Sequence, residues 1–229
     1  MEKSQDITIT HLGIIADGNR RWARERNLPT LEGHKKGLDA VENLVEACSN
    51  KGIKFVTFYL FSTENWNRSK EEVSYLMDLF LKRIKSLAKK MAKNNVKLLF
   101  LGGEERLSSA IKKAMKEALA ITAECTGMTT CFCFNYGGKQ EIADAAKAAL
   151  AKDGEITPET IENNLYHPEV PACDMIVRPS GEQRLSGFML WRSAYAEFLF
   201  LPKFFPEMQG SDIDDIIVEY HNRHRRFGK

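Results

Sequence analysis

Four short polar clusters in this chain combine residue types that can hold an anion and a cation side by side. The first, Asp17-Gly18-Asn19-Arg20-Arg21-Trp22, directly follows an apolar run. Its glycine permits a tight turn and Arg21 offers charged donors, while Asp17 has two readings: a helix-capping carboxylate, or a ligand for a hard cation such as Mg2+. An aspartate beside a phosphate-binding arginine makes most sense when a metal bridges the two. The second, Ser62-Thr63-Glu64-Asn65-Trp66-Asn67-Arg68, is either a capped turn over a half-buried tryptophan or part of an anion site. In the third, Arg178-Pro179-Ser180-Gly181-Glu182-Gln183-Arg184-Leu185-Ser186, arginines and serines surround a glycine turn. That suits a diphosphate, because guanidinium forks match phosphate oxygens. In the fourth, Glu197 heads an apolar run and reads as a paired core charge or a metal ligand. The tail cations Arg223, Arg225, Arg226 and Lys229 fit a solvated end, a nucleic-acid patch or an anion clamp.

The hydrophobic pattern supplies a frame for these clusters. Strands are predicted at 12–16, 53–61, 96–101, 129–135, 174–178 and 198–201, from β-branched, aromatic and apolar runs bounded by turn residues. Between them fall helical patterns: Leu38, Val41, Leu44, Val45 and Cys48 share one face, with Gly52 as a stop. A long helix opens at Ser69, where Ser69 and Glu72 predict a reciprocal capping box. Further helices begin near Ser108, after Gly138, at Thr157-Pro158 and near Ser211. Alternating strands and helices predict an α/β fold, a single domain with a mostly parallel sheet of about six strands flanked by helices. In such sheets ligands sit beyond the carboxyl ends of the strands, where the first three clusters fall. Cys131 and Cys133 share one strand face and read as core thiols.

Composition narrows the class. At 43% hydrophobic and 28% charged the chain is globular, and a net charge of +2 gives no general reason to bind nucleic acid. No apolar run approaches the roughly 18 residues of a membrane span, and residues 1–10 lack the core of a secretory signal. Five cysteines without a CxxC pair disfavour a disulfide framework. The expectation is a cytoplasmic protein forming one domain over 1–229, with 1–10 flexible and 221–229 a basic tail. No GxGxxG follows a strand and no GxSxG is present, so dinucleotide and nucleophile-elbow chemistry have no support.

Five motifs then become recognisable in order: HLGIIADGNRRWA, FYLFSTENWNR, FNYGGKQEI, IVRPSGEQRLSGFMLW and AYAEFLF. With the terminal Arg226-Phe227-Gly228, the sequence resembles the cis-prenyltransferase family, most closely the bacterial undecaprenyl diphosphate synthases, from His11 onward. The resemblance implies sequential Mg2+-dependent condensation of isopentenyl diphosphate onto an allylic diphosphate, farnesyl diphosphate foremost, giving a polyprenyl diphosphate that serves as a cell-wall lipid carrier. It implies that Asp17 is catalytic and holds Mg2+, with Gly18, Asn19, Arg20, Arg21, Trp22 and His34 around the allylic diphosphate. Ser62, Thr63, Glu64, Asn65, Trp66 and Arg68 match the loop over the reacting ends, Asn65 being placed for proton loss. Arg178, Arg184, Leu185 and Ser186 match the isopentenyl diphosphate site, and Glu197 a second metal ligand.

By the same resemblance Arg226 reaches into the neighbouring subunit of a homodimer, and the enzyme attaches transiently at the inner face of the membrane to release product; no nucleic acid is implied. Leu60, Leu101 and Met128 are expected to line an apolar tunnel for the growing chain. Thr30 stands where many members have arginine, so a phosphate contact is expected to be missing or to come from Arg24 or Lys35. Gln183 replaces a commoner histidine or glutamate. Three rivals are weaker, the first an RNA- or DNA-binding module using the basic tail, which would have no need of the carboxylates. A catalytically silent subunit of this fold would lose the Asp-Gly-Asn loop, and an all-helical trans-prenyltransferase needs DDxxD pairs that Asp214-Asp215-Ile216-Ile217-Val218 does not complete.

Overall fold

Leu12, Ile14, Val56, Phe58, Phe132 and Phe134 alternate along their strands and bury one sheet face, while Ile15, Tyr59, Cys131, Cys133 and Ile176 bury the other. Apolar residues on both faces require cover on both sides, the usual state of a parallel sheet. The computed structural model, which describes residues 9–223, shows this arrangement. Strands β1 (His11–Ile15), β2 (Phe55–Ser62), β3 (Lys97–Leu101), β4 (Thr129–Tyr136), β5 (Met175–Arg178) and β6 (Glu197–Phe200) form one six-stranded sheet. Its order is β3-β4-β2-β1-β5-β6, and every pair is parallel. The helices are α1 (Asn19–Glu25), α2 (Thr30–Asn50), α3 (Lys70–Lys93), α4 (Ser109–Ile121), α5 (Gly138–Asp153), α6 (Pro158–Asn163) and α7 (Asp212–His221). Short 3-10 turns cover Thr63–Asn67 and Phe205–Glu207.

The expected architecture is present, with three local differences. First, α2 begins at Thr30, well before its apolar stripe starts at Leu38. Its first turns carry glycines because they press on α1: a Cβ at Gly37 would lie 2.3 Å from Asn19 Oδ1. Second, the capping box at α3 is only half made. Ser69 Oγ accepts the Glu72 N–H at 3.2 Å, but the Glu72 carboxylate is drawn away to Arg68 and His34. Two cationic partners outweigh one backbone donor. Third, residues 9 and 10 belong to the packed structure and not to a flexible leader. Ile9 is 2% exposed, and Asp174 Oδ2 accepts the Thr10 and His11 N–H groups at 2.7 and 2.9 Å. Residues 1–8 and 224–229 lie outside the described residues. Cys131 and Cys133 are buried thiols, both pushed up in pKa by burial.

Two buried polar groups tie the layers together. The Arg192 guanidinium and the Glu141 carboxylate meet at 2.6 Å with side chains 3% and 1% exposed. Arg192 also donates to the Val170, Tyr166 and His167 carbonyls, and Tyr136 Oη donates to Glu141. This fastens the start of α5 to the segment that follows the third polar cluster. His11, on β1, is fully buried: Nδ1 bonds the Pro171 carbonyl at 2.8 Å and Nε2 meets Thr57 Oγ1 at 2.7 Å.

Burial lowers the His11 pKa from its ordinary 6.5 to about 4, against the Pro171 bond and Asp174, which raise it, while the Arg192 charge adds to the lowering. The unfolded chain therefore binds a proton that the folded chain refuses between these values. Stability should be full above pH 6.5 and fall by about 3 kcal/mol on acidification to pH 4. Urea titrations across this window should show a steeper slope in wild type than in His11→Asn. Equal slopes would assign the acid sensitivity to other groups.

Candidate active site

Asp17 lies two residues beyond the end of β1, in the loop that turns into α1. Gly18 makes the turn at φ +95°, and a Cβ there would meet Phe204 Cδ1 at 2.6 Å, so both conformation and space call for glycine. The Asp17 carboxylate does not cap α1. Its Oδ1 accepts the adjacent Gly18 N–H at 2.6 Å, and Oδ2 accepts from Arg178 Nη2 at 2.7 Å, Arg178 Nε at 3.2 Å and Ser180 Oγ at 2.8 Å. Arg21 Nη2 adds a longer contact at 3.4 Å. Burial alone would raise this carboxyl's pKa. The hydrogen bonds from Arg178 and Ser180, the Arg178 charge and the Gly18 N–H outweigh it and hold the pKa below the ordinary value. Asp17 is ionised.

Asp17 lines two neighbouring cavities, and a third adjoins them. One of about 720 Å³ is lined by Asp17, Gly18 and Asn19 and by the arginines 20, 21, 24 and 68, with Thr30 and His34. A second, about 180 Å³, joins Asp17 and His34 to Ser62, Asn65, Arg68, Arg178 and Ser186. A third, about 70 Å³, is apolar, walled by Leu38, Val41, Leu60, Leu76, Phe80 and Phe134, and shares Ala16, Asn19 and His34 with the others. An anion pocket, a reaction crevice and an apolar recess thus meet at the carboxyl ends of β1, β2 and β5, the position a parallel sheet favours for ligands.

The loop after β2 is held from two directions. Ser62 N–H donates to Asn65 Oδ1 at 3.1 Å, so the Asn65 amide oxygen is engaged and its NH2 is left as the donor toward the crevice. Trp66 is a clamp on the loop and not a cavity wall: Nε1 donates to Asn135 Oδ1 at 2.7 Å, Phe61 packs edge-on and the Arg106 guanidinium covers the ring at 4.7 Å. Thr63 packs at Gly137, Glu64 is exposed, and Trp22 lies under Arg26 outside the cavities. Thr30 lines the large cavity, and Arg24 stands beside it, whereas Lys35 is paired with Glu32.

The loop after β5 is tied by Arg178, which donates to Ser186 Oγ at 2.9 Å and to the Arg184 carbonyl besides Asp17. The Arg184 side chain is exposed and pairs with Glu182, which also receives Arg21 at 3.2 Å. Leu185 is half-buried against the core beneath. Glu197 is not brought to Asp17. In register it lies beside Met175, which lies beside Leu12, five residues before Asp17, or roughly 16 Å along the strand. Its partner is Arg223 at 3.2 Å. Of the tunnel candidates only Leu60 reaches the recess; Leu101 and Met128 are packed core residues. Arg226 lies outside the described residues.

Two residues given no individual site role from the sequence complete the site. Ser180, at φ +89°, supplies a hydroxyl to Asp17. Glu72 lies among the cations, accepting from Arg68 at 2.9 Å and His34 Nε2 at 3.2 Å, with Arg20 at 3.7 Å. The His34 pKa is lowered by burial and by the Arg68 charge, with Glu72 opposing. The i,i+4 spacing of Arg68 and Glu72 is the signal that was available.

One ionised carboxylate in an arginine-lined pocket matches how Mg2+ is commonly held, through one or two carboxylates and substrate phosphates. The donor set at Asp17 therefore fits that ion.

Comparison with known proteins identifies the family. The family model described as "Putative undecaprenyl diphosphate synthase" matches residues 15–228. The isoprenyl transferase of Neisseria meningitidis serogroup A is 42% identical over 96% of this chain and 89% of its own. The ditrans,polycis-undecaprenyl-diphosphate synthase of Vibrio parahaemolyticus, (2E,6E)-farnesyl-diphosphate specific, is 43% identical over 100% of this chain and 95% of its own. A crystal structure of lavandulyl diphosphate synthase from Lavandula x intermedia, in complex with dimethylallyl diphosphate, superposes with a TM-score of 0.92 at 33% identity, covering 97% of this chain and 99% of that one. Over sequence and fold alike, the chain belongs to the undecaprenyl diphosphate synthase family of prenyltransferases.

Proposed function

We propose that the enzyme condenses isopentenyl diphosphate repeatedly onto farnesyl diphosphate, with Mg2+, to give a long polyprenyl diphosphate of the undecaprenyl class that serves as a cell-wall lipid carrier. The observation that carries this reading is the ionised Asp17 lining both a cationic cavity and a polar crevice, which share Ala16, Asn19 and His34 with an apolar recess. The Vibrio relative's name supports the choice of primer.

Breaking the allylic C–O bond leaves a carbocation-like fragment and adds negative charge to the departing diphosphate. Arg20, Arg21, Arg24 and Arg68 line its pocket, and fixed donors aimed at developing charge lower the barrier without reorganisation. Mg2+, held by Asp17 and substrate oxygens, would supply further charge neutralisation there. Arg178 and Ser186, with Arg184, hold isopentenyl diphosphate so that its double bond lies near the cation, a proximity effect. To do so Arg178 shares with a phosphate the fork it now gives Asp17. The lost proton goes to a diphosphate oxygen: Asn65, its amide oxygen already engaged, orients that path as a donor and is not the base. Leu60 and the aromatic wall take the growing chain, each unit of about five carbons adding roughly 4 kcal/mol of burial.

Incubation with labelled isopentenyl diphosphate, farnesyl diphosphate and Mg2+, followed by chain-length analysis, tests the reading; a product that stops after one addition would overturn the polyprenyl assignment. Arg184→Ala is expected to raise the KM for isopentenyl diphosphate about tenfold or more with little change in kcat, because a charged contact made in both ground and transition states is lost. A rise confined to the allylic KM would reverse the assignment of the two sites.

The protein acts in the cytoplasm as a homodimer whose Arg226 serves the partner's site, meeting the membrane only peripherally and not nucleic acid. No described helix is long and apolar enough to cross a membrane. Mixed dimers of Asp17→Ala and Arg226→Ala, made by co-expression, would contain one intact site each. Random pairing should restore roughly a quarter of wild-type activity, and isolated mixed dimers no more active than their parents would place Arg226 outside the partner's site.

A further inference from the structure

Helix α3 has two unlike faces. Its inner side buries Phe80, Ile84, Leu87, Ala88 and Met91, and its first turns wall the apolar recess through Leu76, Leu79 and Phe80. The outer side carries exposed Glu71 and Asp78 in its first half and is cationic beyond them. From Leu79 to Gly103 the chain carries seven lysines and arginines and no acidic residue.

The two flanks of this run are matched. Arg83 and Lys90 pair with Asp39 and Glu42 on α2, and Lys85 pairs with Glu117 on α4. Between the flanks, Lys82, Lys89 and Lys93 recur at helical spacing on one side, exposed, with no ion pair among the described residues. Lys113 is exposed on the neighbouring α4, one turn before Glu117. Favourable interaction with the helix dipole explains cations only in the last turn, so it accounts for Lys93 but not for Lys82 or Lys89.

We propose that this lysine face docks the enzyme on an anionic lipid surface, which sets the wall of the apolar recess beside the bilayer. The inference rests on the proposed function, whose product has an apolar chain too long to leave readily into water. Charge complementarity selects the partner: each lysine brought to an anionic leaflet strengthens binding roughly fivefold. A single-stranded nucleic acid is disfavoured, because none of the large exposed hydrophobic residues lies on α3 or α4 to offer a stacking platform.

Co-sedimentation of the full chain with vesicles tests this. Wild type should pellet with phosphatidylcholine vesicles that contain phosphatidylglycerol, less so as salt rises, and not with phosphatidylcholine alone. K82E/K89E/K93E should lose at least about tenfold in that binding. The charge-matched K54E/K147E/K152E should keep it, and both variants should turn over farnesyl and isopentenyl diphosphates in detergent like wild type, which reports their folding. Wild type that pellets with neither vesicle, or a triple α3 variant that pellets like wild type, overturns the proposal. Lysine-dependent binding to a single-stranded RNA without vesicle binding does so too. Sedimentation needs no turnover: vesicle binding without condensation would remove the proposed function and leave the surface.

Discussion

Asp17→Asn is expected to reduce turnover by on the order of a thousandfold while the fold persists. The amide keeps the shape of the carboxylate, and Oδ1 can still accept the Gly18 N–H that shapes the turn. What disappears is the charge, held ionised by Arg178 and Ser180, that would hold Mg2+ against the leaving diphosphate. The change also leaves Arg178 without its acceptor: with Oδ1 on the Gly18 N–H, the new NH2 faces the Arg178 and Ser180 donors and cannot accept from them. Relieved of an ionic partner at 2.7 Å, the Arg178 guanidinium is freer for a phosphate, so isopentenyl diphosphate binding should be retained or tightened. Calorimetric titration with that substrate and single-turnover kinetics separate the two effects. A variant with turnover near wild type at saturating Mg2+ would remove Asp17 from the mechanism.

Arg192→Met should cost about 3–5 kcal/mol of stability, because Glu141 would stay buried without its counter-charge. Adding Glu141→Leu should recover part of the loss, since replacing both partners removes the unpaired charge. Urea denaturation of wild type and the two variants provides the comparison. A single-variant cost below about 1 kcal/mol would mean that the pair is solvated in the native protein.

The sheet was legible because parallel strands covered on both faces leave an unmistakable pattern of apolar runs. The motifs also named the loops that meet at the site. What they concealed was competition between partners. Glu72 occupies the capping position relative to Ser69, but three-dimensional proximity to Arg68 and His34 decides where its carboxylate goes. Trp66 looks like a ligand contact in sequence, and only the arrival of Asn135 and Arg106 from distant segments turns it into a clamp. Glu197 sits in a motif adjacent to the site by family likeness, but strand register sets its height in the sheet, and periodicity carries no register between strands far apart in sequence. The start of α2 was missed for a related reason: helix against helix at Gly37 needs an absence of side chain, which an apolar pattern does not record.

The central place of β1 has a consequence for synthesis of the protein. β1 is flanked by β2 on one side and by β5 on the other, and Asp17 waits for Arg178, which follows 161 residues later. Contacts of such separation close late and slow folding, because the chain entropy of the loop is lost before they form. On the ribosome, the β1–β2 pair can form early, yet the anion pocket stays without its central ion pair until β5 has emerged. The catalytic centre is therefore a late event in the life of the chain, and a nascent chain stalled before β5 would expose one edge of β1, a parallel strand apolar on both faces, with no partner to cover it.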